Sequence, residues 1–111
     1  MVAKAKGRFI PVAPRKMRSV VRLVKGMEVL RAQAILKQIP KGAARPLGKV
    51  LDSAVANATR AGLYTPEQLK ISKIMADEGP ILKRFRAAAM GRATEIHKKF
   101  SHVTIELEAR G

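Results

Sequence analysis

The residues in this chain that are best placed to do chemistry are lysines and arginines, and that chemistry is the binding of anions. The chain has 23 Lys and Arg against 8 Asp and Glu in 111 residues, a formal net charge of +15. Like charges at this density repel one another in a compact monomer. Because nucleic acid is the densest cellular polyanion, the charge predicts a nucleic-acid partner.

The basic residues form two clusters. Residues 1–27 contain no acidic residue, and residues 83–99 contain only Glu95. A solvated face is the usual explanation of one basic stripe, but the lack of acidic partners in the first cluster favours nucleic acid. Arginines there can bind phosphate oxygens bidentately, whereas lysines act as point charges. The predicted RNA-binding residues are Lys4, Lys6, Arg8, Arg15, Lys16, Arg18, Arg22, Lys25, Lys83, Arg84, Arg86, Arg92, Lys98 and Lys99.

Other groups of residues give only weak indications of a metal, catalytic or phosphate-binding site. His97 and His102 are five residues apart on a predicted strand, where they point to opposite faces and cannot chelate one metal together. The adjacent Asp77 and Glu78 also face opposite ways, which argues against a shared acid–base site. Residues 42–49 superficially resemble a phosphate loop, but their glycines are one residue too far apart. We therefore expect no enzyme activity, no metal and no cofactor.

Composition limits the class of protein. The length fits one domain, and 47% hydrophobic residues are enough to bury a core. With no cysteine there is no disulfide, which suits a reducing compartment. The longest apolar runs are shorter than the ~20 residues of a membrane span, and the first residues lack the apolar core of a signal peptide. We expect a cytoplasmic protein with no membrane and no small-molecule substrate.

Periodicity predicts one strand and three helices in the first half of the chain. Residues 2–10 alternate basic residues with small or apolar ones, which is typical of a strand with one charged face. Apolar stripes at helical spacing predict one helix that begins at Pro14 and stops at Gly26. Two more are predicted at about residues 28–38 and from about residue 44 to a glycine cap at Gly62.

Thr65-Pro66-Glu67-Gln68 predicts a one-turn helix start with a capping box, and the period changes to two after residue 68. By parity Leu69 and Ile71 share one face of a strand and Ile74 and Ala76 the other, and the phase slip near Ser72 predicts a bulge. Val103, Ile105 and Leu107 alternate with polar residues, so the two stretches are interpreted as arms of one antiparallel hairpin.

The predicted fold is α+β, with three helices packed on a small antiparallel sheet and a long protruding β-hairpin. The globular body comprises about residues 1–80 and 101–111, and the extended hairpin about residues 81–100. The outer half of the hairpin is too charged to join a core, and an isolated two-stranded ribbon is marginal in water. We expect this half to be ordered by an anionic partner around it.

Several short motifs occur in a fixed order along the chain. They are Pro14-Arg15-Lys16 with Arg18, Ser53-Ala54 with Ala56-Asn57-Ala58, Asp77-Glu78-Gly79-Pro80, Lys83-Arg84, Gly91-Arg92-Ala93, and Ser101-His102 with Thr104. With this order, spacing and total length, the chain resembles the bacterial large-subunit ribosomal protein L-twenty-two family from first strand to last.

The resemblance implies a structural component of the large ribosomal subunit that binds large-subunit rRNA and contacts neighbouring ribosomal proteins. It implies that the hairpin reaches inward and lines the nascent-peptide exit tunnel. The tunnel-lining tip would be Ala88, Ala89, Met90, Gly91 and Arg92, where the nascent peptide would be a further partner. Many members carry Pro-Arg-Ala-Lys before the Gly-Arg-Ala motif, whereas this chain has Ala87-Ala88-Ala89-Met90 and so two fewer positive charges.

A DNA-architectural protein is the alternative interpretation, because some histone-like proteins also carry basic β-arms on a helical body. Such proteins usually need a dimer and an apolar wedge at the arm tip. Residues 87–89 of this chain are alanines and supply neither a wedge nor a proline.

Overall fold

The computed structural model describes residues 2–40, 42–60, 62–87 and 93–110, and the side chains among them except those of residues 80–98. Within this part the chain forms three α-helices, three strands and one short 3-10 turn at Pro66–Gln68. The helices are α1 (Pro14–Val24), α2 (Val29–Gln38) and α3 (Ala44–Thr59), and the strands are β1 (Ala3–Ile10), β2 (Leu69–Ala87) and β3 (Ala93–Ala109). The α+β class is confirmed.

The strands form one antiparallel sheet in the order β1-β3-β2. β1 pairs with β3 from Ala3↔Leu107 to Ile10↔Ser101, whereas β2 pairs with β3 as far as Ala87↔Ala93. Within the described residues β1 pairs only with Ser101–Leu107 of β3. Residues 81–87 of β2 and 93–99 of β3 therefore form a two-stranded segment, called the ribbon below. The principal extents of 63 × 24 × 17 Å reflect this elongation.

The helices cover one face of the sheet. α1 packs mainly on β2, α3 packs on β1 and β3, and α2 packs on α3. Each predicted apolar stripe faces inward: Met17, Val20, Val21 and Val24 of α1 are all buried. They meet the buried sheet residues Leu69, Ile71, Val103, Ile105 and Leu107. Among the described residues, no helix is long and apolar enough to cross a membrane.

The predicted bulge in β2 is present, because the pairing of β2 with β3 shifts between Ile71 and Lys73. The bulge places Leu69, Ile71, Ile74 and Ala76 on one buried face, and not on the two faces that counting every second residue predicts. Ile71 and Ile74 are both buried, while Ser72 is exposed and donates a hydrogen bond of 3.1 Å from Oγ to the carbonyl of Glu106. The extra residue restores the phase, so the apolar residues before and after it share the face that packs on the helices.

A second bulge, in β1, was not predicted. The alternation of residues 2–10 holds as far as Gly7, and then the register shifts between Gly7 and Ile10. Ile10 is buried and Phe9 is exposed, with a left-handed backbone at φ 54°. The prediction of a strand with one charged face is therefore wrong for its last residues, because the inserted residue reverses the faces.

The ends of the elements follow their sequence signals. Gly26 and Gly62, which follow α1 and α3, both have φ 75°, a conformation that glycine adopts without steric cost. Pro14 occupies the first turn of α1, and the Ala13 before it gives no side-chain cap.

Thr65 and Gln68 form the predicted capping box at the 3-10 turn, with the Thr65 N–H donating to Oε1 of Gln68 at 2.9 Å. Hydrogen bonds from the Glu67 backbone N–H and from the Thr65 hydroxyl lower the pKa of the Glu67 carboxyl. Because this pKa is lower in the folded than in the unfolded chain, the contribution to stability is present at neutral pH. It is lost as the pH falls through the lowered value.

Candidate nucleic-acid interface

The structure divides the first basic cluster between two surfaces. Lys4 and Lys6 alternate with the buried Ala5, so they lie on the sheet face away from the helices. Arg15 and Arg22 lie on the exposed side of α1, opposite its buried stripe. The residues predicted to bind RNA in this segment therefore do not form one patch.

The exposed side of α1 carries three arginines in a row. Arg15, Arg18 and Arg22 are three and four residues apart, the spacing of neighbours on a helix face. Nε of Arg18 donates a hydrogen bond of 3.1 Å to the carbonyl of Ala76 on β2, which fixes the side chain against the sheet. The remaining guanidinium N–H groups are donors of the kind that bind phosphate. We call these residues the α1 arginine face.

The two basic clusters meet where the ribbon leaves the body. A cavity of about 140 Å³ is lined by Arg15 and Arg18 of the first cluster and Lys99 of the second, together with Glu78 and Phe100. Close backbone approach makes this junction tight, because a Cβ added to Gly79 would lie 3.1 Å from both Cβ and O of Phe100. The fold thus joins cations far apart in sequence at the base of the ribbon.

The open face of the sheet has mixed charge. Lys4 lies opposite Glu106 in the strand register and Lys6 opposite Thr104. Lys70 Nζ lies 3.1 Å from Glu108 Oε1 in an exposed ion pair. Acidic neighbours weaken the attraction of this face for phosphate relative to the α1 arginine face.

Three other predicted residues lie away from the α1 arginine face. Lys16 borders a cavity of about 650 Å³ between the starts of α1 and α3, with Pro11 and Pro46 among its lining residues. Lys25 follows the last turn of α1, where a cation complements the helix dipole. Arg8 lies in the β1 bulge and is exposed.

Part of the predicted site lies in the ribbon or outside the described residues. The backbones of Lys83, Arg84, Arg86 and Lys98 belong to β2 and β3, and their side chains lie outside the description. The predicted tip, residues 88–92, lies outside the described residues altogether.

Comparison with known proteins decides the family. The family model of ribosomal protein L22p/L17e matches residues 5–108, nearly the whole chain. The chain belongs to this ribosomal protein family. Two relatives from strains of Desulfitobacterium hafniense, each named "Large ribosomal subunit protein uL22", are 48% identical over 103 residues, which cover 93% of this chain and 90% of each relative.

This ribosomal protein also carries basic residues that the sequence patterns did not single out. Lys37, Arg45 and Lys49 line a groove of about 330 Å³ between α2 and α3, where Gln33 holds Asp52 by a hydrogen bond of 2.9 Å. The sequence did contain one sign of this basic groove: Arg45 and Lys49 are four residues apart, the spacing of neighbours on one helix face.

The ribosomal protein shows no metal site within its described residues, where no group of three His, Cys, Asp or Glu side chains is close enough to hold an ion. His102 is instead engaged by β1, since its Nδ1 accepts a hydrogen bond of 3.1 Å from the N–H of Phe9.

Proposed function

We propose that this chain is a structural constituent of the large ribosomal subunit and binds large-subunit rRNA through the α1 arginine face and the ribbon. One observation carries the assignment of the surface: Arg15, Arg18 and Lys99 line one cavity at the base of the ribbon. Glu78 lines the same cavity, so the three cations outnumber one carboxylate there. The excess positive charge neutralises phosphates, and neutralised RNA segments can pack more closely together. Membership of a ribosomal protein family supports the assignment of the chain to the large ribosomal subunit.

The two parts of the chain have different roles in this proposal. The body, about residues 1–80 and 101–111, has its own apolar core and binds rRNA at its surface. In the hairpin of about residues 81–100, the described residues 81–87 and 93–99 have no third strand to support them, and the surrounding rRNA supplies the missing contacts. Neighbouring large-subunit proteins complete the surroundings. The chain acts in cytoplasmic ribosomes as a structural component and not as an enzyme.

We also propose that residues 88–92 line the nascent-peptide exit tunnel. The support is the resemblance of the whole chain to the family and the length of the ribbon. Its paired residues, Ile81↔Lys99 to Ala87↔Ala93, extend about 20 Å at ~3.3 Å per residue. A ribbon of this length supports the proposal, because a residue that lines the tunnel has to be reached from a body that lies outside it.

Sedimentation of the tagged chain from cell extracts tests the proposed function. The chain should sediment with large subunits and whole ribosomes, and each of these fractions should contain as many copies of it as of another large-subunit protein. The DNA-architectural alternative predicts that it follows the nucleoid and that the ribosome fractions are empty of it. No relative named above supports that alternative, but this outcome would establish it.

Crosslinking tests the proposed tip. A photo-crosslinking amino acid replaces Met90 in ribosomes that are translating a labelled peptide, and the same amino acid replaces the exposed Leu63 of the body as a control. Crosslinks to the labelled peptide from position 90 and not from position 63 are expected. Crosslinks from position 90 to rRNA alone would contradict contact with the nascent peptide.

A further inference from the structure

Phe9 combines an exposed aromatic ring with a strained backbone conformation. It keeps 58% of its surface exposed, and its φ of 54° lies in the left-handed region. Few non-glycine residues adopt this region, and a bulky side chain there is a genuine outlier. Such strain persists only where the surroundings impose it, and it clusters at functional sites.

Two contacts with β3 impose this conformation. The N–H of Phe9 donates to Nδ1 of His102 at 3.1 Å, and the two rings meet edge to face with centroids 4.9 Å apart and an interplanar angle of 89°. The neighbouring Ile10 is buried in the core. The bulge therefore buries the aliphatic residue and holds the aromatic one outside the fold.

The surroundings of the ring are suited to a nucleotide. Phe9 lines a cavity of about 350 Å³ together with Lys6, Arg8, Asp77 and His102. Proteins that bind single-stranded nucleic acid combine cations for the backbone with aromatic rings on which bases stack. Lys6 and Arg8 supply the cations, whereas the Asp77 carboxylate can only accept hydrogen bonds, as from an exocyclic amino group of a base.

We propose that Phe9 is the stacking platform for one unpaired base of the rRNA. The base lies on the exposed ring, Lys6 and Arg8 neutralise the adjoining phosphates, and the edge-to-face contact with His102 keeps the ring in place. This proposal rests on the rRNA-binding function proposed above and adds a second, base-contacting site on the open face of the sheet, separate from the α1 arginine face. An apolar side chain of a protein neighbour is the competing occupant, and the cations beside the ring favour RNA over it.

Binding to deproteinised large-subunit rRNA tests the proposal with a matched pair of variants. Phe9→Leu keeps an apolar side chain but removes the ring, and Phe9→Tyr keeps the ring. A stacked base contributes ~1–3 kcal/mol, so Phe9→Leu should weaken binding about 5- to 150-fold. Phe9→Tyr should stay within about threefold of the parent. The slope of log K against log[salt] should not change, because no phosphate contact is lost.

The outcomes separate this proposal from the one on which it rests. If the parent chain binds rRNA but Phe9→Leu binds equally well, or if Phe9→Tyr loses as much affinity as Phe9→Leu, the stacking site is wrong and rRNA binding stands. If the parent chain does not bind rRNA, the proposed function itself is wrong. Thermal unfolding of each variant shows whether an affinity change comes from loss of fold.

Ultraviolet crosslinking of unmodified large subunits gives an answer that needs no variant. Stacked aromatic rings couple to bases on irradiation, so digestion and mass spectrometry should find a nucleotide on the peptide that contains Phe9. A crosslink from this peptide to a neighbouring protein, or no nucleotide on it, would overturn the proposal.

Discussion

Oγ of Ser101 donates a hydrogen bond of 2.6 Å to the carbonyl oxygen of Val12, and Ser101 is fully buried. Val12 belongs to the connection between β1 and α1. Ser101 is the residue of β3 that pairs with β1 nearest to the ribbon. This bond therefore ties the start of α1, and with it Arg15 and Arg18, to the base of the ribbon. The geometry of the proposed rRNA site depends on it.

Replacement of Ser101 by alanine should destabilise the chain. The carbonyl of Val12 loses its partner in a partly buried setting, and the loss of a hydrogen bond that leaves a polar group unsatisfied costs ~1–3 kcal/mol where the group is buried. Urea unfolding should show this loss in Ser101→Ala. Ser72→Ala, which removes an exposed hydroxyl bond on β2, should cost less than ~0.5 kcal/mol and is the matched control. Equal stability of the two variants would mean that the Ser101 bond contributes nothing.

Gly7 should not tolerate a methyl group. A Cβ at this position would lie 2.5 Å from Cγ2 of Val50 and 3.0 Å from Cδ1 of Ile10, both of which are buried. Overpacking of this kind costs ~1–3 kcal/mol, so the midpoint of urea unfolding of Gly7→Ala should fall. Gly42→Ala is the control, because nothing lies within 4 Å of an added Cβ there.

A double variant tests whether the clash with Val50 is the cause. Val50→Ala removes Cγ2, so Gly7→Ala should cost less in that background than in the parent chain. Additive losses in the double variant would show that the contact is not responsible.

A serine at position 13 should stabilise α1. Ala13 is the N-cap residue and makes no side-chain hydrogen bond, although its backbone already has the extended conformation that a cap requires. Ala13→Ser should therefore raise the free energy of unfolding by ~1 kcal/mol. Thermal unfolding measures the gain, and an unchanged or lower midpoint would contradict it.

Salt dependence should separate the arginines of α1 from other cations. Arg15→Ala and Arg22→Ala should each weaken binding to large-subunit rRNA and reduce the slope of log K against log[salt] by ~0.7–0.9 for each lost phosphate contact. Lys70, which pairs with Glu108, is the control, and Lys70→Ala should leave the slope unchanged. A parent chain whose affinity does not vary with salt would exclude binding through phosphates.

Much of the fold was predictable from periodicity. The inward residues of α1 and α3, the capping box at Thr65 and the bulge at Ser72 all follow from local spacing and composition. They were predictable because each depends on residues within a few positions of one another. The glycine signals after α1 and α3 are local in the same way.

The arrangement of the site was not predictable, because it depends on contacts between distant segments. Arg18 reaches the carbonyl of Ala76, and Arg15 and Lys99 share a cavity, only after α1 has packed on β2. The outward turn of Phe9 depends on a bond to His102, on a strand at the other end of the sequence. No spacing within β1 contains that information, although two successive apolar residues at the end of an alternating strand were a local hint of a bulge.

Hydrogen exchange, compared between the free chain and the chain in the large subunit, tests most directly whether rRNA holds the ribbon. In the free chain we expect slow exchange of backbone amides at residues 103–107, where β3 pairs with both β1 and β2. We expect fast exchange at residues 84–87 of β2 and 93–95 of β3, where the two strands pair only with each other. In the subunit the ribbon amides should become slow. Ribbon amides that are already protected in the free chain, or that stay unprotected in the subunit, would contradict the account.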